Sequence, residues 1–355
     1  MAGIPLEDNF TDILGKAQRG LGLSDTELVR RAGISAAQLS KVRSKPVDPR
    51  SSDQGRAALP RGLGRDAARP YHAGHRVPTT EEAIIRKLAA ALNLGADTLV
   101  ASAKQAWYPA VPPAPAIDGL ACFNTSFSDM TVNAYLVWDP TTRRAAAFDT
   151  GADCDPMVEL ARDQKLKIEL ILLTHIHSDH VYDLDRLKEA TGAAAYVSER
   201  EPISGTTPFK DGHVFELPWD KLPACPPAAK GDPSGAGETS KMHVLPAGTG
   251  ETPVPLRIEA RRTSGHARGG TTFVVTRPGA PTAVSGLPQF AVVGDALFAG
   301  SMGGGMVDYD EALQTNRQSI FTLPDDTIVC PGHGPLTTVG EEKQHNPFYP
   351  EFQRQ

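Results

Sequence analysis

Residues 174–180 read Thr-His-Ile-His-Ser-Asp-His, directly after the apolar run Ile-Glu-Leu-Ile-Leu-Leu at 168–173. Imidazole and carboxylate are the usual ligands of zinc and related divalent ions. A loop leaving a buried strand can turn several of them toward one point. The competing reading is a surface cluster of polar residues, but the whole chain holds only 10 histidines and three of them stand here. Four more fragments have the same form, an apolar strand ending on a group that can bind metal. Ala-Ala-Ala-Phe-Asp offers Asp149, and Leu-Arg-Ile-Glu-Ala-Arg-Arg-Thr-Ser-Gly-His offers His266. Phe-Ala-Val-Val-Gly-Asp offers Asp295, and Thr-Ile-Val-Cys-Pro-Gly-His offers His333. A lone histidine at a strand end is more often structural than a ligand. Regular placement at five strand ends reverses that prior, and short Val, Ile and Leu runs alternating with helical stretches predict a layered α/β domain.

The chain is 355 residues long, more than one core usually organises, which predicts two domains. Forty per cent hydrophobic and 22% charged residues are ordinary for a globular protein and allow a sizeable buried core. The stretch Ala-Trp-Tyr-Pro-Ala-Val-Pro-Pro-Ala-Pro at 106–115 cannot continue a helix and reads as a linker. Charge differs on its two sides. Residues 1–105 carry 16 Lys and Arg against 11 Asp and Glu, and residues 106–355 carry 20 against 31, within a net −6. The contrast predicts modules with different partners. The predicted organisation is a helical domain over 1–105, a linker over 106–117, and an α/β domain over 118–355. The start shows no basic segment followed by an apolar one, and no run approaches the roughly 20 apolar residues of a membrane span. A cytoplasmic protein is the expectation, with Cys122, Cys154, Cys225 and Cys330 as free thiols.

In the front part, Ile13, Leu14 and Ala17 suggest a first helix, and Ser24 with Glu27 forms a capping-box pattern for a second. Gly33 permits a turn and Ser35 caps a third helix running to about Arg43. Residues 81–93 and 96–105 read as two closing helices. The arrangement resembles a repressor-type helix-turn-helix, which implies DNA contact through Gln38, Ser40, Lys41 and Arg43. Such folds also serve as dimerisation modules, so a homodimer is the alternative use. Two insertions lack periodicity. The first, at about 46–79, is basic and expected to be disordered, with seven Lys and Arg against three Asp and Glu over 44–80. The second, at about 216–253, is rich in Pro and Gly and reads as a lid or a surface excursion.

From about 120 to 348 the sequence resembles the metallo-β-lactamase fold superfamily. Its His-x-His-x-Asp-His motif stands here as His175, His177, Asp179 and His180, and its later His, Asp and His stand as His266, Asp295 and His333. The resemblance implies an αββα sandwich, here preceded by the small all-α domain, with the active site at one edge. It implies one divalent ion on His175, His177 and His266, a second on Asp179, His180 and His333, and Asp295 bridging them. Zinc is the first choice of metal, with iron or manganese as alternatives. Asp149 resembles the early Asp that orients a ligand, and Asp179 would also orient the nucleophile. The implied chemistry is attack of a metal-bridging hydroxide on a carbonyl.

The strings Gly-Asp-Ala-Leu-Phe-Ala-Gly-Ser at 294–301 and Pro-Gly-His-Gly-Pro-Leu-Thr-Thr-Val-Gly-Glu-Glu-Lys-Gln-His-Asn-Pro-Phe at 331–348 look most like the glyoxalase II-like branch. That implies hydrolysis of a small acyl thioester of the hydroxyacylglutathione type, whose thiol, with a pKa of about 8.5, leaves without help from a strong acid. A lactonase, a β-lactamase-like activity, persulfide dioxygenation on the same scaffold, and a transcriptional regulator that senses a ligand through this domain are the other readings.

Overall fold

In a computed structural model, the strand Met130–Trp138 (β2) divides its side chains between two cores: Tyr135 and Val137 face one, Ala134, Leu136 and Trp138 the other. Period-two alternation on a strand buried on both faces makes it the middle of a layered molecule. The structure describes residues 3–44, 79–112, 114, 117–217, 256–276 and 289–353. Both expected insertions, and Cys225 with them, fall almost wholly outside the described residues.

One sheet has the order β1 (Leu120–Phe127), β2, β3 (Arg144–Phe148), β4 (Lys167–Leu172), β5 (Ala194–Ser198) and β6 (Thr207–Phe209), parallel from β3 onward. The other runs β12 (Thr337–Thr338), β11 (Ile328–Pro331), β10 (Phe290–Gly294), β9 (Thr271–Thr276), β8 (Leu256–Arg262) and β7 (Val214–Leu217), with β10 and β11 parallel. The sheets face each other across a dry core of Tyr135, Phe148, Leu172, Phe215, Phe273 and Val292. Helices α6 (Asp155–Asp163) and α8 (Leu184–Thr191), with the single turn α7 (Ser178–Val181) between them in the chain, cover the outside of the first sheet through Met157, Ala161, Leu184 and Leu187. The resulting αββα layering agrees with the sandwich that the resemblance implied.

The outer layer of the second sheet holds a surprise. Five helices stand where the front of the sequence suggests them: α1 (Phe10–Gly20), α2 (Asp25–Ala32), α3 (Ala36–Arg43), α4 (Thr79–Ala91) and α5 (Ala96–Ala103). Asn9 caps α1, Ser24 caps α2, and Ser35 with Gln38 forms a full capping box on α3. Their apolar residues Ile13, Leu14, Leu28, Leu88 and Leu99 belong to one continuous core with Val274, Ala291, Val293 and Val329 of the sheet. Helix α9 (Tyr309–Ser319) joins the same core through Tyr309 and Ala312, and a Cβ on Gly20 would stand 2.3 Å from the Tyr309 ring. The expected linker is also no free tether: Trp107 stacks on His345 at 4.9 Å and Val111 packs against the inter-sheet core. The charge contrast suggested separate modules because net charge is blind to apolar faces. Burial of a shared apolar surface, worth about 25 cal/mol per Å2, fixes the two parts together instead.

Among the described residues, no helix is long and apolar enough to cross a membrane, and Cys122, Cys154 and Cys330 are free thiols.

Candidate metal centre

The five strands whose ends carried the polar groups, β3, β4, β8, β10 and β11, deliver them to one edge of the sandwich. Three groups of donor atoms each lie within 4.8 Å of one another: His175, His177 and His266; His175, His180 and Asp295; Asp179, His180 and His333. Asp295 stands between them. Its Oδ1 is 3.2 Å from His180 Nε2, and its Oδ2 is 3.4 Å from both His266 Nε2 and His333 Nε2. Asp179 Oδ2 lies 3.3 Å from His333 Nε2 and 3.5 Å from His180 Nε2.

Hydrogen bonds on the far side of each ring settle which nitrogen faces the cluster. A carbonyl oxygen can only accept, so His266 Nδ1 donates to the Gly304 carbonyl (2.9 Å) and His333 Nδ1 to that of Thr131 (2.6 Å). His180 Nδ1 bonds Asp149 Oδ2 at 2.8 Å. Thr174 Oγ1 donates to Asp149 Oδ2 (2.7 Å), which leaves its oxygen to accept from His175 Nδ1 at 3.1 Å. In the neutral rings every Nε2 is therefore bare, and all four turn inward. His177 enters by its other nitrogen: Nδ1 lies 3.1 Å from His175 Nε2 and 3.0 Å from His266 Nε2.

Such an arrangement fits a cation. Buried His180 Nε2 and Asp295 Oδ1, 3.2 Å apart, form no proper hydrogen bond, and with the ring neutral both are bare acceptors, costly unless something positive meets them. Burial holds the His175 imidazole well below its ordinary pKa, as it does more weakly for His266, so these rings stay neutral. At His180, burial acts the same way but is overcome by the Asp295 and Asp149 carboxylates, which push it up to about 10. The two carboxylates thus draw positive charge into a place with little water.

Asp149 does not touch the inward face. Its Oδ1 accepts from Thr174 N at 2.7 Å while Oδ2 serves Thr174 Oγ1 and His180, so it clamps two histidines from behind. Three positioning residues were not singled out in the sequence. Thr174 relays Asp149 to His175. Buried Asn133 donates from Nδ2 to the carbonyls of Pro331 (3.0 Å) and Gly334 (2.9 Å), and Tyr135 donates to Pro331 at 2.7 Å, together fixing the turn that carries His333. Gly332 and Gly303 have no room for a side chain: a Cβ on the first would lie 2.2 Å from Asp295 Oδ1, and on the second 1.8 Å from the Asp295 carbonyl. Only the Gly-rich character of those turns could have signalled this.

The residues suggested for DNA contact lie elsewhere. Gln38 accepts from Ser35 N at 2.8 Å as part of its cap, Lys41 stands 3.5 Å from Glu81, and Arg43 pairs with Asp25 at 2.9 Å and bonds Gln18. Ser40 is exposed on α3. None of the four lines the cavity above the cluster.

The family model described as metallo-beta-lactamase superfamily matches residues 128–333. A probable metallo-hydrolase of Streptococcus pyogenes serotype M6 is 28% identical over 228 residues, 61% of this chain and 84% of that protein. A hydroxyacylglutathione hydrolase of Haemophilus influenzae is 27% identical over 220 residues, covering 61% of this chain and 92% of that one. Among solved structures, the BLEG-1 B3 metallo-beta-lactamase is 25% identical with a TM-score of 0.42 over 64% of this chain and 99% of that one.

Proposed function

We propose, for a chain that belongs to the metallo-β-lactamase superfamily, hydrolysis of an acyl thioester at a centre of two divalent ions. His175, His177 and His266 would hold one ion, Asp179, His180 and His333 the other, and Asp295 both. The observation that carries the reading is Asp295, whose two oxygens face histidines of both groups. When bound, such a pair supplies an acidified water as nucleophile and a Lewis-acid seat for the carbonyl oxygen. Zinc suits the imidazole-rich donor set, with iron and manganese as alternatives.

The chain's own residues do the rest. Asp149 and Thr174 fix the tautomers of His180 and His175, so those two lone pairs are aimed before substrate arrives. Asp179 sits at the edge of the cluster, 12% exposed at its side chain, where it can accept a hydrogen bond from the attacking water. A thioester is favoured over an ordinary ester because a thiol leaves readily, and no further acid is then required of the site. The hydroxyacylglutathione hydrolase among the relatives supports the same substrate class.

Zinc-loaded protein given a hydroxyacyl thioester of glutathione, a lactone, a phosphodiester and a β-lactam is expected to turn over the thioester fastest. A chelator should abolish that activity and added zinc restore it. Turnover of the phosphodiester alone would rule out the thioester reading.

A further inference from the structure

A cavity of about 480 Å3 opens above the cluster, with His266, Asp295 and His333 on its floor. Part of its wall belongs to neither sheet. Glu7, Lys16 and Arg19 line it from α1 and the residues before that helix, outside the 128–333 that the family model matches. The helix is held firmly there. Lys16 Nζ donates to the Met302 carbonyl (2.8 Å), pairs with Asp8 Oδ2 (2.5 Å) and sits 4.8 Å above the Phe298 ring, while Ser301 Oγ donates to the same Asp8 oxygen at 2.5 Å. The Glu7 backbone lies close beside Gly334, on which a Cβ would meet Glu7 N at 3.2 Å.

These contacts leave the two cations unequal. The charge of Lys16 is answered by Asp8, whereas the exposed guanidinium of Arg19 has no hydrogen bond or ion pair among the described residues. An unanswered guanidinium on the wall of a site, carried by a helix held in place, is a fork for a carboxylate. Glu7, on the His333 side of the same cavity, disfavours an anion there. We infer that Arg19 is a specificity-determining residue that receives a carboxylate at the far end of the substrate, so the N-terminal helix reads what the metal centre cleaves. The inference rests on the proposed function only in taking this cavity as the substrate site.

The test uses binding rather than turnover. Full-length zinc-loaded protein and its Arg19→Ala and Arg19→Lys forms are titrated calorimetrically with S-(2-hydroxypropyl) thioethers of ω-mercapto carboxylic acids of two, four and six methylenes, and with their primary amides. Arg30→Ala removes another exposed charge, one that pairs with Glu27 and does not line the cavity, and serves as control. For the best-fitting length, the carboxylate should bind about tenfold tighter than its amide. Arg19→Ala should erase that preference, Arg19→Lys keep part of it and Arg30→Ala all of it. A preference that survives in Arg19→Ala, or is absent from the unaltered protein, overturns the inference. A protein that discriminates the probes yet cleaves no thioester sinks the thioester reading and leaves the anion site standing.

Discussion

Replacing Asp295 with asparagine is expected to lower kcat/KM for a thioester by about a thousandfold, with bound metal falling alongside. The side chain keeps its shape, so the change removes charge from the one carboxylate that faces both histidine groups. In the unaltered protein burial alone would raise the Asp295 pKa, but His180 and His333 hold it well below the ordinary carboxylate range. An amide cannot carry that charge, and two ions would then repel each other with less between them. Steady-state kinetics with elemental analysis of the same samples checks this. A variant keeping a tenth of the activity at full metal content would show that Asp295 does not hold the pair.

The Asp149→Asn variant acts one step back. Asparagine tolerates the left-handed backbone found there, φ 55, so the substitution isolates the loss of a carboxylate oxygen. The new amide group presents a donor to His180 Nδ1 or to Thr174, each of which already donates to Asp149. A buried donor left unanswered costs on the order of 2 kcal/mol, and freeing the tautomer of His180 should weaken metal binding about 10- to 100-fold. Urea unfolding of the metal-free protein reads the first effect and competition with a chromophoric chelator the second. Unchanged values in both experiments would deny Asp149 its clamping role.

How far the sequence spoke can be judged from particular residues. The ligand-bearing strand ends were legible because each joins an apolar run to a polar stop, and both signals are local. The convergence of His266 and His333 on His177 and Asp179 was available only through resemblance, since residues so far apart in sequence meet by sheet order. Asn133, Tyr135 and Thr174 were silent for a related reason. Each looks like an ordinary strand residue until the partner strand or turn that it bonds is known. The amphipathic faces of α1 to α5 were visible as helix patterns, yet an apolar stripe does not name what covers it. Ile13 and Leu14 gave no sign that Val293 and Tyr309 lay across from them, and so the proximity of Lys16 and Arg19 to the metal-type cluster went unread.

Elemental analysis of the full-length protein after zinc reconstitution and removal of free metal tests the central claim most directly. About two ions per chain are expected, falling when Asp295 is replaced by asparagine. A chain that returns empty from reconstitution would contradict it.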